Sequence, residues 1–319
     1  MRLAILDDYQ NISLSLADWS KVKEKMEITV FTKNIASVDE AAKTLAPFDV
    51  IIMMRERMPI RRDLIERLPN LKMILTTGAH NRGLDVDACH DRGVLVTHTS
   101  NILAQATTLE LTWALILAAA RNLPHEDRII RAGGWQDTLG MRLVNRTLGL
   151  CGFGKLGTAV AKIGHAFGMK TIAWSQNLTP EKAAAGGAEW VSKEELFRRS
   201  DIVSVHLVLS ERTTNLIGAK EFGLMKPDSI FVNTSRGPIV DEAALIDTMQ
   251  RRAIRRAALD VFNVEPLPKD HPLTTLDNVV LSPHLGYASE DNMRQYFIDA
   301  VENLEAWLGG NPIRVMGAH

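Results

Sequence analysis

The chain is poor in cysteine: its 319 residues hold two, Cys89 and Cys151. Two thiols in this length make no disulfide framework, so a reducing compartment, the cytoplasm, is the expected setting. Net charge is nearly absent as well, with 37 Lys+Arg against 38 Asp+Glu and a balance of -1. That excludes wholesale attraction to bulk nucleic acid or an anionic membrane, and neither is expected as a partner. No run of about 18 apolar residues occurs, which excludes a conventional membrane-spanning helix. The start, Met1-Arg2-Leu3-Ala4-Ile5-Leu6-Asp7-Asp8, reads as a buried strand ending in carboxylates, too short and too early-charged for a secretion signal. The histidines show no H-x-x-x-H pair and no cysteine pair at ligand spacing, so no metal is expected. A G-x-S-x-G elbow and a P-loop are also missing, which leaves hydrolase and kinase chemistry without support.

What is present is ordinary globular material, 46% apolar and 24% charged, in a length that suggests two domains. Short β-rich runs alternate with helical patterns from the start. Strands are expected at Leu3–Leu6, Ile28–Phe31, Val50–Met53, Met73–Thr76 and Val94–Val96. Helices are expected at Leu14–Lys25, Val38–Leu45, Arg61–Leu68 and Asp85–Arg92. This alternation implies a parallel sheet covered on both faces. Asn101–Arg121 interrupts the rhythm with a helix apolar nearly all round, as suits a domain junction or a subunit interface. The rhythm then restarts with six strands: Thr147–Cys151, Thr171–Trp174, Ile202–Leu207, Ile230–Thr234, Ala257–Phe262 and Val279–Ser282. Six strands with helices between them match a full dinucleotide fold. Ser289–Leu308 is a last amphipathic helix, and the cluster Arg251-Arg252…Arg255-Arg256 reads as a solvated helix end.

The segment Gly152-Phe153-Gly154-Lys155-Leu156-Gly157 is a G-x-G-x-x-G run. It follows an apolar strand and opens a helical run, the context its mechanism requires. Gly152 permits the tight turn, Gly154 lets backbone approach a pyrophosphate, and Gly157 lets helix pack on strand. The next strand leads to Ser175-Gln176-Asn177, where an NAD-selective site carries an acid for the ribose hydroxyls. No acid lies between Asp137 and Glu181, and Ser175 and Asn177 offer neutral donors, so the cofactor expectation is NAD(P) with a slight lean to NADP.

Three further segments each follow a strand: Asn233-Thr234-Ser235-Arg236-Gly237, Asp260-Val261-Phe262 with Glu265-Pro266, and Ser282-Pro283-His284-Leu285-Gly286. Open α/β sheets bind ligands at their carboxyl ends, so Arg236, Glu265 and His284 can serve one crevice. Carbonyl reduction by hydride needs a proton donor at the developing alkoxide, a task that suits histidine. A neighbouring carboxylate stabilises the imidazolium, and an arginine holds a substrate carboxylate in fork geometry.

With these four ordered motifs the chain resembles the D-isomer-specific 2-hydroxyacid dehydrogenases, over essentially its whole length. The resemblance implies an α/β protein of two doubly wound parallel-sheet domains. A flavodoxin-like substrate domain would comprise residues 1–100 plus 288–319, and a Rossmann dinucleotide-binding domain residues 101–287, with the active site in the cleft between. It implies hydride transfer between a nicotinamide cofactor and C2 of a small 2-oxo or D-2-hydroxy acid. His284 would be the acid/base, Glu265 its partner and Arg236 the substrate anchor. Leu207, Thr234, Asp260 and Gly286 would meet the cofactor, Asp260 accepting from the carboxamide. A homodimer through the Asn101–Arg121 region is implied too. The substrate loop departs from the family's glycine-rich pattern, reading Thr77-Gly78-Ala79-His80-Asn81-Arg82-Gly83. Gly78 and Ala79 would offer backbone N–H groups to the substrate carboxylate, with Arg55 facing the same cleft. Glu265 argues against the formate-oxidising branch, which carries glutamine there. A dinucleotide-sensing, co-repressor-like module is the alternative reading. Neither an extended tail nor an appended regulatory domain is expected.

Overall fold

The computed structural model describes residues 1–35 and 37–317; the last two residues of the expected substrate domain, Ala318 and His319, lie outside them. It contains two parallel sheets. The first is built from β1 (Arg2–Ile5), β2 (Glu27–Val30), β3 (Val50–Met53), β4 (Met73–Thr76) and β5 (Leu95–His98), in the order β2-β1-β3-β4-β5. The second contains β6 (Thr147–Cys151), β7 (Lys170–Trp174), β8 (Glu189–Trp190), β9 (Ile202–Val205), β10 (Ile230–Asn233), β11 (Arg256–Leu259) and β12 (Val279–Leu281). Its order is β12-β11-β10-β9-β6-β7-β8. Both are doubly wound, and strand order reverses between β1 and β3 in one and between β6 and β9 in the other. Helices cover both faces, so central strands such as β3, β4, β9 and β10 are buried at every position. That is why their sequences are continuous apolar runs rather than alternating ones. Each fully buried Val, Leu or Ile there contributes about 1.5–3 kcal/mol of burial free energy.

The chain divides into two compact units, Met1–Ala104 with Ser289–His319, and Gln105–Ala288. The helix Glu290–Leu308 returns to the first unit. Trp19 packs against Phe297 with ring centroids 6.3 Å apart. Asp299 accepts the Ser100 N–H at 2.7 Å, and Asn303 donates to the His98 carbonyl at 2.9 Å.

Several local expectations change. Leu14–Lys25 is two short helices, Ser13–Leu16 and Ser20–Lys23, because the Asp8 carboxylate caps the first through Ile12 and Ser13 and the chain turns extended at Ala17. The second sheet has seven strands, the addition being the two-residue edge strand β8, too short to carry a period. A helix at Leu123–Arg131 follows Asn122, whose backbone is left-handed at φ 56°. The long helix is Ala104–Arg121, and its apolar residues Trp113, Leu115, Ile116, Ala119 and Ala120 are buried in the core of the second unit itself. The basic cluster is not wholly solvated. Arg256 lies in β11, 9% exposed, and donates to the Ala119 carbonyl at the end of that helix. Among the described residues no helix is long and apolar enough to cross a membrane.

Candidate active site

The glycine loop leaves β6 at the point where strand order reverses. Gly152 has φ 102°, and a Cβ there would lie 2.5 Å from the His206 carbonyl oxygen. A Cβ on Gly157 would lie 2.3 Å from the Gly152 carbonyl oxygen, so this glycine lets the helix Lys155–Ala166 sit against the turn. Gly154 differs: a Cβ there would meet nothing within 4 Å. Gly154 is also the N-cap of that helix and makes no side-chain cap bond. The space beside Gly154 is open, and the first turn of the helix carries positive partial charge, which fits a dinucleotide pyrophosphate. Phe153 and Leu156 pack their side chains into the core, while Lys155 is exposed. Burial pushes the Cys151 thiol up to about 12, so it is structural. After β7, Ser175 is half-buried and accepts from Leu178 N–H, and Asn177 is exposed.

The carboxyl ends of β10, β11 and β12 hold the candidate groups Arg236, Glu265 and His284. His284 Nδ1 lies 2.5 Å from Glu265 Oε2. The other carboxylate oxygen, Oε1, accepts the Phe262 N–H at 2.9 Å, which fixes the carboxylate's direction. Facing a carboxylate, Nδ1 carries the proton, and Nε2 is left as the nitrogen for a ligand. The two side chains are 21% and 25% exposed, accessible without being solvated. Tyr287 packs edge-on against the imidazole, with centroids 5.9 Å apart and planes at 72°.

Asp260 serves a purpose that its position after a strand did not reveal. It is 1% exposed, and its carboxylate accepts from Ser282 Oγ (2.6 Å), Leu285 N–H (2.8 Å) and Gly286 N–H (2.9 Å). It thereby ties down the loop on both sides of His284, whose φ is 54°. Burial pushes its carboxyl up, against the lowering by those bonds and by His284. Thr108 Oγ1 donates to the Gly286 carbonyl at 2.8 Å, and Thr112 and Thr234 hydroxyls pair at 2.9 Å. The long helix thus braces two of the expected cofactor contacts.

Arg236 is set by Asn233, whose amide donates to the Arg236 carbonyl and whose oxygen accepts the Ser235 N–H, both at 3.0 Å. Gly237 then presses on the next loop: a Cβ there would lie 2.1 Å from the Phe262 carbonyl carbon. The segments carrying Arg236 and Glu265 are therefore interlocked. Leu207 is half-buried just past β9. Sequence reasoning missed its neighbour His206, whose Nε2 pairs with Ser204 Oγ at 2.9 Å and whose basicity burial lowers to about 4.

In the first unit Arg55 follows β3 with φ 52°. Its N–H donates to Thr77 Oγ1 at 2.9 Å, and its carbonyl accepts from Asn81. Gly78 corrects the expectation made for it. Its N–H is donated to Thr99 Oγ1 at 2.7 Å and so is engaged within the protein. Its service is steric: the Arg55 guanidinium lies where a side chain would stand, 1.7 Å from an added Cβ, on backbone at φ 84°. Ala79 is half-buried and His80 exposed. Among the described residues no group of three or more His, Cys, Asp or Glu is placed to hold a metal.

A parallel sheet with a phosphate-binding turn at its switch point, and a histidine–carboxylate pair at the neighbouring strand ends, defines a dinucleotide-dependent oxidoreductase. Residues 113–286 match the NAD-binding domain of the D-isomer specific 2-hydroxyacid dehydrogenases. The chain is 42% identical over 257 residues to a glyoxylate reductase of Aeropyrum pernix, covering 78% of this chain and 76% of that one. It is 35% identical over 281 residues to glyoxylate/hydroxypyruvate reductase B of Escherichia fergusonii, covering 86% of each. The structure is similar to that of a phosphoglycerate oxidoreductase from Vibrio cholerae, with a TM-score of 0.91, 38% identity, and 97% and 99% of the two chains covered. The chain belongs to the D-isomer specific 2-hydroxyacid dehydrogenase family.

Proposed function

We propose that the chain reduces a small 2-oxo acid of the glyoxylate or hydroxypyruvate kind to its D-2-hydroxy acid, with His284 as proton donor. The observation that carries this reading is the 2.5 Å pair of His284 and Glu265, with Glu265 itself held by the Phe262 amide. The names of the relatives support the substrate class. The dinucleotide, when bound in its reduced form, supplies the hydride. Nε2 of the imidazolium gives its proton to the carbonyl oxygen as charge develops there, and Glu265 stabilises the cation beforehand. Arg236 holds the substrate carboxylate and polarises the adjacent carbonyl. Arg55 and the Ala79 N–H, in the first unit, are assigned to substrate binding. Gly152 through Gly157 take the pyrophosphate, Ser175 and Asn177 the adenine ribose, and Leu207, Thr234, Asp260 and Gly286 the nicotinamide half.

The preference assigned is NADP over NAD. The chain after β7 offers hydroxyl and amide groups and no carboxylate to repel a 2′-phosphate. A homodimer is assigned to the segment after the long helix. Leu123, Ile130, Trp135 and Leu139 are 55%, 54%, 74% and 88% exposed there, apolar side chains for a second copy to cover. Two buried, free cysteines suit the cytoplasm.

The test is a panel of 2-oxo acids with NADPH and NADH, followed by loss of reduced-nicotinamide absorbance. Glyoxylate or hydroxypyruvate turns over, faster with NADPH. Tight dinucleotide binding with no turnover on any acid would overturn the proposal in favour of a sensor.

A further inference from the structure

A second histidine–carboxylate pair borders the loop that carries Glu265. Glu242 opens the helix Glu242–Gln250, and its Oε2 lies 3.3 Å from His271 Nε2. The pair is largely buried, the side chains being 21% and 14% exposed. The Leu273 N–H donates to His271 Nδ1 at 3.3 Å, so Nδ1 is the unprotonated nitrogen and Nε2–H is the donor to Glu242. This is the opposite tautomer to that of His284, whose Nδ1 faces Glu265.

The two carboxylates also share the backbone of one turn. The Phe262 N–H donates to Glu265 Oε1 at 2.9 Å, and the next amide, of Asn263, donates to Glu242 Oε1 at 3.2 Å. Gly237 presses on the same peptide, an added Cβ lying 2.6 Å from Asn263 N. Anchors at Asn263 and His271 bound the span Val264–Asp270, and Glu265 is its second residue. A carboxylate that must meet an imidazole at hydrogen-bond distance depends on where that short span begins and ends.

We propose that Glu242 and His271 are positioning residues of the reaction, holding both ends of the loop so that the Glu265 carboxylate stays on His284. They touch no reacting atom. The proposal rests on the reading of His284 and Glu265 as proton donor and partner. Replacing either positioning residue lets the turn at Asn263 relax while the glycine loop, on the far side of β10 and β9, keeps its shape.

The test uses the full chain with H271A, E242A, the double variant, H271Q and H284A. In H271A and E242A, kcat for 2-oxo acid reduction falls about ten- to hundredfold, with little change in KM and an unchanged dinucleotide Kd. The double variant is no slower than the slower single variant, because one device has been removed twice. H271Q, whose amide N–H takes the place of Nε2–H, recovers most of the rate. Wild-type kcat in H271A, multiplying losses in the double variant, no recovery in H271Q, or a loss of dinucleotide binding matching the loss of rate would each overturn the proposal. Undiminished turnover in H284A would instead overturn the reading of the dyad beneath it.

Discussion

The two sheets are built alike and end differently. Both are parallel, doubly wound and buried on both faces, and each has a point where strand order reverses. At the carboxyl ends of the second sheet, single side chains each bridge two or three groups of the loops. Asp260 spans Ser282, Leu285 and Gly286; Glu265 spans Phe262 and His284; Asn233 spans Ser235 and Arg236. At the corresponding ends of the first sheet, Thr77 Oγ1 accepts the Arg55 N–H and Asn81 donates to the Arg55 carbonyl, while His80 is exposed. Proton transfer demands fixed geometry, while recognition of one acid among many tolerates loops that vary. The difference suits the proposed assignment of the second sheet to the reaction and of the first to selection of the acid.

The strongest way to break this comparison is His284→Ala. Loss of the proton donor should lower kcat by about a hundred- to ten-thousand-fold, since general acid catalysis contributes that much. Dinucleotide affinity, measured by fluorescence titration, should survive. If affinity collapsed in parallel, the dyad would be a structural support of the cofactor site instead. Gly237→Ala comes next. Its Cβ would stand 2.1 Å from backbone carbon, with no flexible side chain to give way. The Arg236 and Glu265 segments must separate, at a cost of about 1–3 kcal/mol of stability by denaturant unfolding. Rate should fall with it, and a variant of wild-type stability and rate would show the interlock to be slack.

Much of this was legible in the sequence, and the exceptions share a cause. Strand runs, the glycine turn and the pairing of Glu265 with His284 could be read because each lies in a local pattern. The edge strand Glu189–Trp190 could not, because two residues have no period. Gly78 was misread because its amide's partner, Thr99, sits on a different strand end and leaves no mark nearby. The hold of Asp260 on the His284 loop, and the pair Glu242 and His271, were passed over for the same reason: the partners are 21 to 29 residues away. The histidine–carboxylate pairing was visible, whereas the hydrogen bonds that hold it were not.

A milder probe sharpens the selection side. Arg55→Gln removes the guanidinium that rests on Gly78 and should raise KM for the 2-oxo acid about tenfold, the worth of one charge-assisted bond. kcat should change little, because Arg55 is assigned to the ground-state carboxylate rather than to the moving proton. Steady-state kinetics separates the two, and a fall in kcat at constant KM would move Arg55 to the reaction side of the comparison.

The smallest effect comes from beneath the glycine turn. His206 is held neutral by burial, its basicity lowered to about 4 from the usual 6.5. The unfolded chain protonates this ring below about 6.5, whereas the folded chain resists until about 4, so the unfolded state binds more protons across that window. Stability conferred by the neutral ring is therefore complete above that upper value and drains away as pH falls through the window. The loss is nil at neutral pH and grows to about 3 kcal/mol only at the acid end of the window. His206→Gln keeps a polar partner for Ser204 but cannot titrate, so its unfolding free energy should fall less steeply with acid. Parallel slopes for the two proteins would mean that water reaches the ring. The second sheet's carboxyl end would then be less rigid than its hydrogen bonds imply, and closer in kind to the first.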